Sequence, residues 1–129
     1  MSAERFSLDT NILIYALDTS AGGKHSVAAE ILDRAIEGDC HLTLQSLSEF
    51  YWAVTRKGLV EKNEAAGQVS DWLTLFPTLG PTPAAIRAAM AHVSARRASF
   101  WDALLVETAS EEGVRHSHLG GYGGRRTTG

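Results

Sequence analysis

The stretch Phe6-Ser7-Leu8-Asp9-Thr10-Asn11-Ile12-Leu13-Ile14-Tyr15 has the pattern of a short buried strand, a polar turn and a helix. The turn begins with an acid that directly follows the apolar run of the strand. In open α/β folds, the carboxyl ends of the strands form the edge where active sites lie. We therefore predict an α/β domain with Asp9 at its candidate site. The structural alternative is that Asp9 only caps the helix.

Helix and strand patterns alternate along the rest of the chain. Apolar spacing, caps and glycine stops predict helices over residues 11–17, 24–37, 46–57, 62–75, 84–94 and 99–112. A second strand is predicted over residues 41–44, and the connector 77–83 has room for another. This alternation predicts an α/β fold with a parallel sheet.

The composition indicates one globular domain. The chain has 129 residues, of which 44% are hydrophobic and 21% charged. No apolar run approaches the roughly 20 residues of a membrane span, and residues 1–5 lack the pattern of a signal peptide, so we expect a cytoplasmic protein with no membrane partner. Cys40 is the only cysteine, which excludes an internal disulfide and argues against a cysteine-based zinc site.

Three acids far apart in the sequence each occur near a predicted helix start: Asp9, Glu49 and Asp102. Each has a structural interpretation as well. Glu49 follows Ser46 at capping-box spacing, and Asp102 gains from the dipole of its helix, although its apolar setting is unusual for that role. If the helices converge, the carboxylates repel one another unless a cation lies between them. Mg²⁺ or Mn²⁺ suits such oxygen ligands, and a metal-bound water can cleave a phosphodiester.

Three motifs carry a resemblance to a known family. They are the opening stretch, then Gln45-Ser46-Leu47-Ser48-Glu49-Phe50, then Ser99-Phe100-Trp101-Asp102-Ala103-Leu104-Leu105. In order, spacing and helix context they resemble the metal-site motifs of the PIN-domain family, and in length and motif the VapC-type toxins of toxin–antitoxin pairs. The resemblance covers about residues 5–112. It implies a three-layer α/β/α domain with a short central parallel sheet.

The resemblance also implies a function. Asp9 and Asp102 would bind Mg²⁺, with Mn²⁺ as the alternative, and Glu49 would be a further ligand or would orient metal-bound water. Thr10 and Asn11 would hold the carboxylates in place. The expected activity is a Mg²⁺-dependent endoribonuclease, the toxin of a toxin–antitoxin pair. The expected partners are an RNA substrate, a cognate antitoxin protein and a second copy of the chain. No substrate-binding residue is assigned.

The C-terminal end departs from the family pattern. We predict a PIN domain over residues 1–113 and an atypical Gly/Arg-rich tail over residues 114–129, with the last strand of the sheet missing or degraded. The family has a further acidic motif here, but residues 113–129 contain three arginines and no acid. Codons exist for residues 119–125 that, read one base later, encode Ser-Glu-Asp-Met-Ala-Asp-Gly. We therefore hypothesise a frameshift near residues 113–116.

The tail has two other interpretations. His116 and His118 would share one face of a strand and act as metal ligands, but no third ligand is evident beside them. Arg115, Arg125 and Arg126 on a flexible glycine-rich segment would contact phosphates without specificity.

Two alternatives to the enzyme differ in class. A degenerate PIN fold, weak or inactive in catalysis, would bind only an antitoxin or another partner protein. An aspartyl-phosphate phosphatase also begins with a strand-end aspartate, but it carries a second aspartate two residues later, where this chain has Asn11.

The other conspicuous side chains have structural interpretations. The tryptophans are expected in the core, the scattered histidines suggest no site, and the arginine pair before the third motif is expected to be solvated rather than bound to RNA. These residues are Trp52, Trp72, Trp101, His25, His41, His92, Arg96 and Arg97.

Overall fold

A computed structural model describes residues 5–95 and 99–117. Strands and helices alternate in it as the sequence predicts. The strands are β1 (Phe6–Leu8), β2 (Leu42–Thr43), β3 (Thr78–Leu79) and β4 (Arg115–Ser117). The helices are α1 (Thr10–Leu17), α2 (Gly23–Glu37), α3 (Leu44–Arg56), α4 (Lys62–Leu75), α5 (Pro83–Ser94) and α6 (Phe100–Glu111).

The strands form two short parallel ladders. β1 pairs with β4, and β2 pairs with β3. An isolated parallel bridge between Phe6 and Cys40 links the two ladders. Helices connect the successive strands, as parallel pairing requires. The predicted α/β class with a short parallel sheet is confirmed.

The prediction that the last strand is missing or degraded is wrong. Arg115–Ser117 forms β4, in a register that sets Ser7 opposite His116. Val114, the residue before the strand, is 4% exposed. Residues 114–117 of the predicted tail therefore contact the domain, and the rest of that tail lies outside the described residues.

The start of α3 also differs from the prediction. The helix begins at Leu44 rather than after Ser46, because Thr43 is the cap and its hydroxyl accepts a hydrogen bond from Ser46 N at 3.0 Å. The Ser46–Glu49 capping box therefore does not form. Instead, Ser46 belongs to α3 and is fully buried. Glu49 projects from the second turn of α3.

One apolar core holds β1 and β2 against α1 and α3. Leu8, Ile12, Leu13, Leu42 and Phe50 are all at most 1% exposed, and burying each such side chain contributes about 1.5–3 kcal/mol. α5 and α6 share a second, smaller cluster of alanines and leucine: Ala85, Ala89, Ala103 and Leu104. The first core fixes β1 relative to α3, and the second fixes α6 against α5.

The helices end as the sequence predicts. Gly58 and Gly113 follow α3 and α6 with φ of 72° and 70°, a left-handed conformation that glycine adopts without strain. Within residues 5–95 and 99–117, no helix has the length and apolarity needed to cross a membrane.

Candidate active site

Asp9 lies where β1 ends and α1 begins. It is the N-cap residue of α1, and its carbonyl oxygen accepts hydrogen bonds from Ile12 N at 3.0 Å and Leu13 N at 3.4 Å. Its side chain makes no cap hydrogen bond and is 16% exposed. The carboxylate therefore does not serve as a helix cap, and it stands at the carboxyl edge of the sheet, where the sequence predicts it.

Glu49 is joined to the residue that follows Asp9. The Thr10 hydroxyl donates a hydrogen bond of 2.9 Å to Glu49 Oε1. Thr10 is 9% exposed, so this bond is largely shielded from water. It connects the first turn of α1 to the middle of α3. The structure thus brings the first and second sequence motifs together.

Gln45 connects the second motif to the third. Its Nε2 donates to Glu49 Oε2 at 3.0 Å and to the carbonyl oxygen of Trp101 at 3.1 Å. Both acceptors lack a hydrogen, so they fix the orientation of the amide. Gln45 Oε1 is then buried with no hydrogen-bond partner among the described residues. Sequence reasoning did not assign this residue, although it lies one helical turn before Glu49 and within the second motif.

Asp102 occupies the first turn of α6. Its backbone N donates to the Ser99 hydroxyl at 3.2 Å, so Ser99 is the helix cap that the sequence predicts. Asp102 itself is exposed, and the residue before it is held by Gln45. The bonds among Thr10, Glu49, Gln45 and the Trp101 carbonyl therefore link all three motifs.

The three predicted carboxylates are brought to neighbouring segments but do not form a closed cage. In the part of the chain that the structure describes, no three His, Cys, Asp or Glu side chains are close enough to hold a metal ion together. Asn11 follows Thr10 in the first turn of α1 and is half-buried. Its role, like the metal-binding roles of the acids, stays a prediction.

His116 lies beside the first motif. Its side chain is 3% exposed, and its Nδ1 is 2.6 Å from the Ser7 hydroxyl. Its Nε2 is 4.0 Å from Asp9 Oδ1. Sequence reasoning set His116 aside because no other ligand was evident beside it, and β4 supplies that neighbour by pairing with β1. His118 lies outside the described residues.

The tryptophans do not all lie in the core. Trp72 lies in the core, as predicted: it is 2% exposed. Its ring packs edge-to-face on that of Phe50, with 4.9 Å between the ring centroids. The prediction is wrong for Trp52 and Trp101, which are each 60% exposed because they lie on the outer faces of α3 and α6. The guanidinium of Arg56 lies over the Trp52 ring at 4.1 Å. Trp101 directly precedes Asp102, so an exposed aromatic surface adjoins the candidate site.

The remaining histidines and the cysteine are structural. His25, His41 and His92 contact Tyr15 O, Asp39 and Glu107 at separate places in the fold, so they form no site together. Burial, with a smaller contribution from the neighbouring Asp39 carboxylate, raises the pKa of the Cys40 thiol from 9.0 to about 12. The thiol therefore stays protonated at neutral pH and is a poor nucleophile or metal ligand. Arg96 and Arg97 lie outside the described residues.

Comparison with known proteins gives one family and a consistent set of folds. The sequence profile of the PIN domain family matches residues 7–116. No curated protein sequence matches the chain. Among solved structures, the sarcin-ricin loop cleaving toxin VapC20 of Mycobacterium tuberculosis is similar, with a TM-score of 0.64, 16% identity and 84% of each chain covered.

Two solved complexes are similar as well. VapBC2 of Rickettsia felis, bound to a DNA fragment from its promoter, matches with a TM-score of 0.62 at 12% identity, over 88% of this chain and 98% of that chain. DNA-bound VapBC of Salmonella typhimurium matches with a TM-score of 0.63 at 12% identity, over 90% of this chain and 98% of that chain. At these identities the likeness concerns the fold.

Proposed function

Because this chain belongs to the PIN domain family, we propose that it is a divalent-metal-dependent endoribonuclease and the toxin of a toxin–antitoxin pair. The observation that carries the proposal is the hydrogen-bond chain from Thr10 through Glu49 and Gln45 to the Trp101 carbonyl. These hydrogen bonds link the three segments that carry Asp9, Glu49 and Asp102. Such convergence is what a shared cation site needs.

The donor set fits a hard divalent cation. The acids offer carboxylate oxygens, and Gln45 Oε1 is a buried oxygen whose lone pairs have no partner among the described residues. Mg²⁺ and Mn²⁺ accept such ligands. Asp9 and Asp102 would hold the ion, with Glu49 as a further ligand or as the group that orients its water. When bound, the ion supplies a water of lowered pKa and stabilises negative charge on a phosphate.

The protein's own groups hold the carboxylates ready for this task. Thr10 donates to one oxygen of Glu49 and Gln45 donates to the other, so both carboxylate oxygens are held in position. Each oxygen keeps a second lone pair. Glu49 can therefore accept a hydrogen bond from a water molecule without losing the contacts that orient it.

The exposed ring of Trp101 supports a nucleic-acid substrate. A single-stranded base can stack on an exposed aromatic ring, which contributes about 1–3 kcal/mol per base. Because Trp101 directly precedes Asp102, a base stacked there would lie next to the reacting phosphate. The similar VapC20 is described as a toxin that cleaves the sarcin-ricin loop. We therefore take RNA, acted on in the cytoplasm, as the substrate.

The proposed protein partners are a cognate antitoxin and a second copy of this chain. Two of the similar structures are VapBC complexes. The chain also exposes large apolar side chains on α3 and α4, which are typical of surfaces that bind protein partners. These side chains are Leu44, Tyr51, Leu73 and Leu75.

A second candidate function is a partner-binding PIN fold without effective catalysis. It is favoured by the sequence after Glu112, which contains no Asp or Glu. A cation held by fewer carboxylates binds more weakly. This candidate predicts antitoxin binding with no RNA cleavage at any concentration of Mg²⁺ or Mn²⁺.

RNA cleavage by the full chain distinguishes the two candidates. We expect cleavage of single-stranded or loop RNA with Mg²⁺ or Mn²⁺, loss of cleavage with EDTA, and loss in Asp9→Asn. Asp33→Asn is the matched control, because Asp33 is exposed on α2, away from the site. Cleavage that survives EDTA or Asp9→Asn would rule out the proposed mechanism.

A further inference from the structure

β4 places a histidine next to the proposed cation site. Ser7 and His116 are paired residues on adjacent parallel strands, so their side chains project from the same face of the ladder. Asp9 follows Ser7 by two residues, and alternation along the strand directs it to that face as well. The three side chains are therefore neighbours because of the strand register.

The imidazole of His116 is held in a fixed orientation. The ring is 3% exposed, and its Nδ1 lies 2.6 Å from the hydroxyl of the fully buried Ser7. This contact directs the opposite ring nitrogen, Nε2, toward Asp9 Oδ1. In the tautomer whose proton is on Nδ1, that nitrogen donates a hydrogen bond to the Ser7 hydroxyl. Nε2 then carries the lone pair that a metal ion requires.

The separation of 4.0 Å between Nε2 and Asp9 Oδ1 is too long for a hydrogen bond. It is compatible with two ligands of one cation. Two donor atoms that are each about 2.1 Å from the same ion lie between about 3 Å and 4.2 Å apart, depending on the angle at the ion. The separation in the structure therefore lies within the range expected for two ligands of one cation.

We infer that His116 contributes its Nε2 atom as a ligand to the divalent cation at Asp9, so that the site takes Mn²⁺ in preference to Mg²⁺. The inference rests on the proposed function, since it needs a cation at Asp9. Imidazole suits transition metals, whereas Mg²⁺ favours oxygen ligands. The nitrogen ligand comes from β4, which lies within the acid-free sequence after Glu112. It adds a ligand without adding a negative charge to the carboxylates.

Electron spin echo envelope modulation of the Mn²⁺-loaded full chain tests the inference. A nitrogen bound to Mn²⁺ modulates the echo, so the wild-type protein should show ¹⁴N modulation. His116→Asn should lose it, because an asparagine amide still reaches Ser7 but not Asp9. His41→Asn is the matched control and should keep it. His41 Nε2 also lies near a carboxylate, 3.0 Å from Asp39 Oδ1, but His41 directly precedes β2, whereas the site lies at the carboxyl edge of the sheet.

Titration calorimetry adds an equilibrium measurement. His116→Asn should lower the affinity for Mn²⁺ roughly tenfold and the affinity for Mg²⁺ by less than about twofold. Equal losses for both ions would show that the histidine is only structural, and would overturn the inference. No loss for Mn²⁺ would overturn it too.

The outcomes separate this inference from the proposed function. Bound Mn²⁺ without ¹⁴N modulation in the wild-type protein overturns the inference and leaves the proposed cation site intact. A wild-type protein that binds neither ion overturns both. If His116→Asn does not fold, wild-type protein labelled with ¹⁵N-histidine gives the answer. Replacement of the ¹⁴N signal by a ¹⁵N signal supports a histidine ligand. A ¹⁴N signal that persists in the labelled protein overturns the inference.

Discussion

Thr10 and Glu49, 39 positions apart in the sequence, are joined by a hydrogen bond of 2.9 Å between the threonine hydroxyl and Oε1 of the carboxylate. This bond joins the first turn of α1 to the middle of α3. Thr10 is adjacent to Asp9, so the bond also joins the two segments that carry Asp9 and Glu49, two of the three predicted metal-binding acids.

Loss of the Thr10 hydroxyl should weaken both the fold and the cation site. Thr10→Val keeps the shape of the side chain but removes the donor to Glu49 Oε1. We expect the free energy of unfolding to fall by about 1–2 kcal/mol, because a partly buried hydrogen bond to a charged group is lost. Urea denaturation measures this. Thr10→Ser retains the hydroxyl and should stay close to the wild-type value. Equal losses in both variants would show that packing, not the hydrogen bond, matters.

Gln45→Ala should strongly lower the rate of RNA cleavage. Its effect on the free energy of unfolding should be smaller. The change removes both the support of Glu49 Oε2 and the link to the Trp101 carbonyl. Loss of a group that orients a metal ligand typically costs about 10- to 100-fold in affinity or activity. Single-turnover cleavage rates measure the effect. Gln68→Ala, at the only other glutamine of the chain, is the control on α4. Equal rates for the two variants would contradict the role of Gln45.

The positions of the acids follow from the sequence, but their contacts do not. Asp9 was placed correctly because an acid after a short apolar strand has only one location in an α/β fold. Glu49 was identified by its motif, yet its local pattern suggested a capping box, and Thr43 takes that cap instead. Gln45 was missed because its contact with Trp101 depends on how α3 packs near α6, which no local pattern encodes.

The last strand shows another limit of sequence reasoning. Arg115, His116 and Ser117 have no apolar alternation, so they do not resemble a strand. The pairing with β1 nevertheless forms, and the Ser7 hydroxyl supplies a partner for the imidazole that strand register buries. A polar sequence can therefore form a strand when its neighbour satisfies the polar groups that become buried.

Trp101→Ala should weaken RNA binding. Loss of one stacked base corresponds to about 1–3 kcal/mol, or roughly a 5- to 140-fold increase in Kd. Fluorescence anisotropy with a non-cleavable single-stranded RNA measures it. Trp52→Ala is matched in residue type and in its exposure of 60%, and it lies on α3 with Arg56 over its ring. If only Trp52→Ala weakens binding, the RNA contacts α3 rather than the start of α6.

The buried thiol predicts a pH dependence of stability. The pKa of Cys40 is raised to about 12 in the folded chain, whereas the exposed thiol of the unfolded chain ionises near 9.0. Between these values the unfolded state loses its proton first, so the stability that burial of the neutral thiol provides declines as the pH rises above about 9. Thermal melts from pH 8 to 11 measure this decline, and Cys40→Ala should reduce it. If stability declines equally with pH in the variant, the decline comes from titratable groups other than Cys40.

Diffraction from crystals of the full chain soaked in Mn²⁺, measured at an energy where manganese scatters anomalously, is the most direct test of the proposed cation site. We expect a single strong anomalous peak about 2.1–2.3 Å from carboxylate oxygens of Asp9 and Asp102, with Glu49 bound to the ion or to one of its waters. A peak elsewhere, or none at this edge of the sheet in crystals that grow with the site open to solvent, would contradict it.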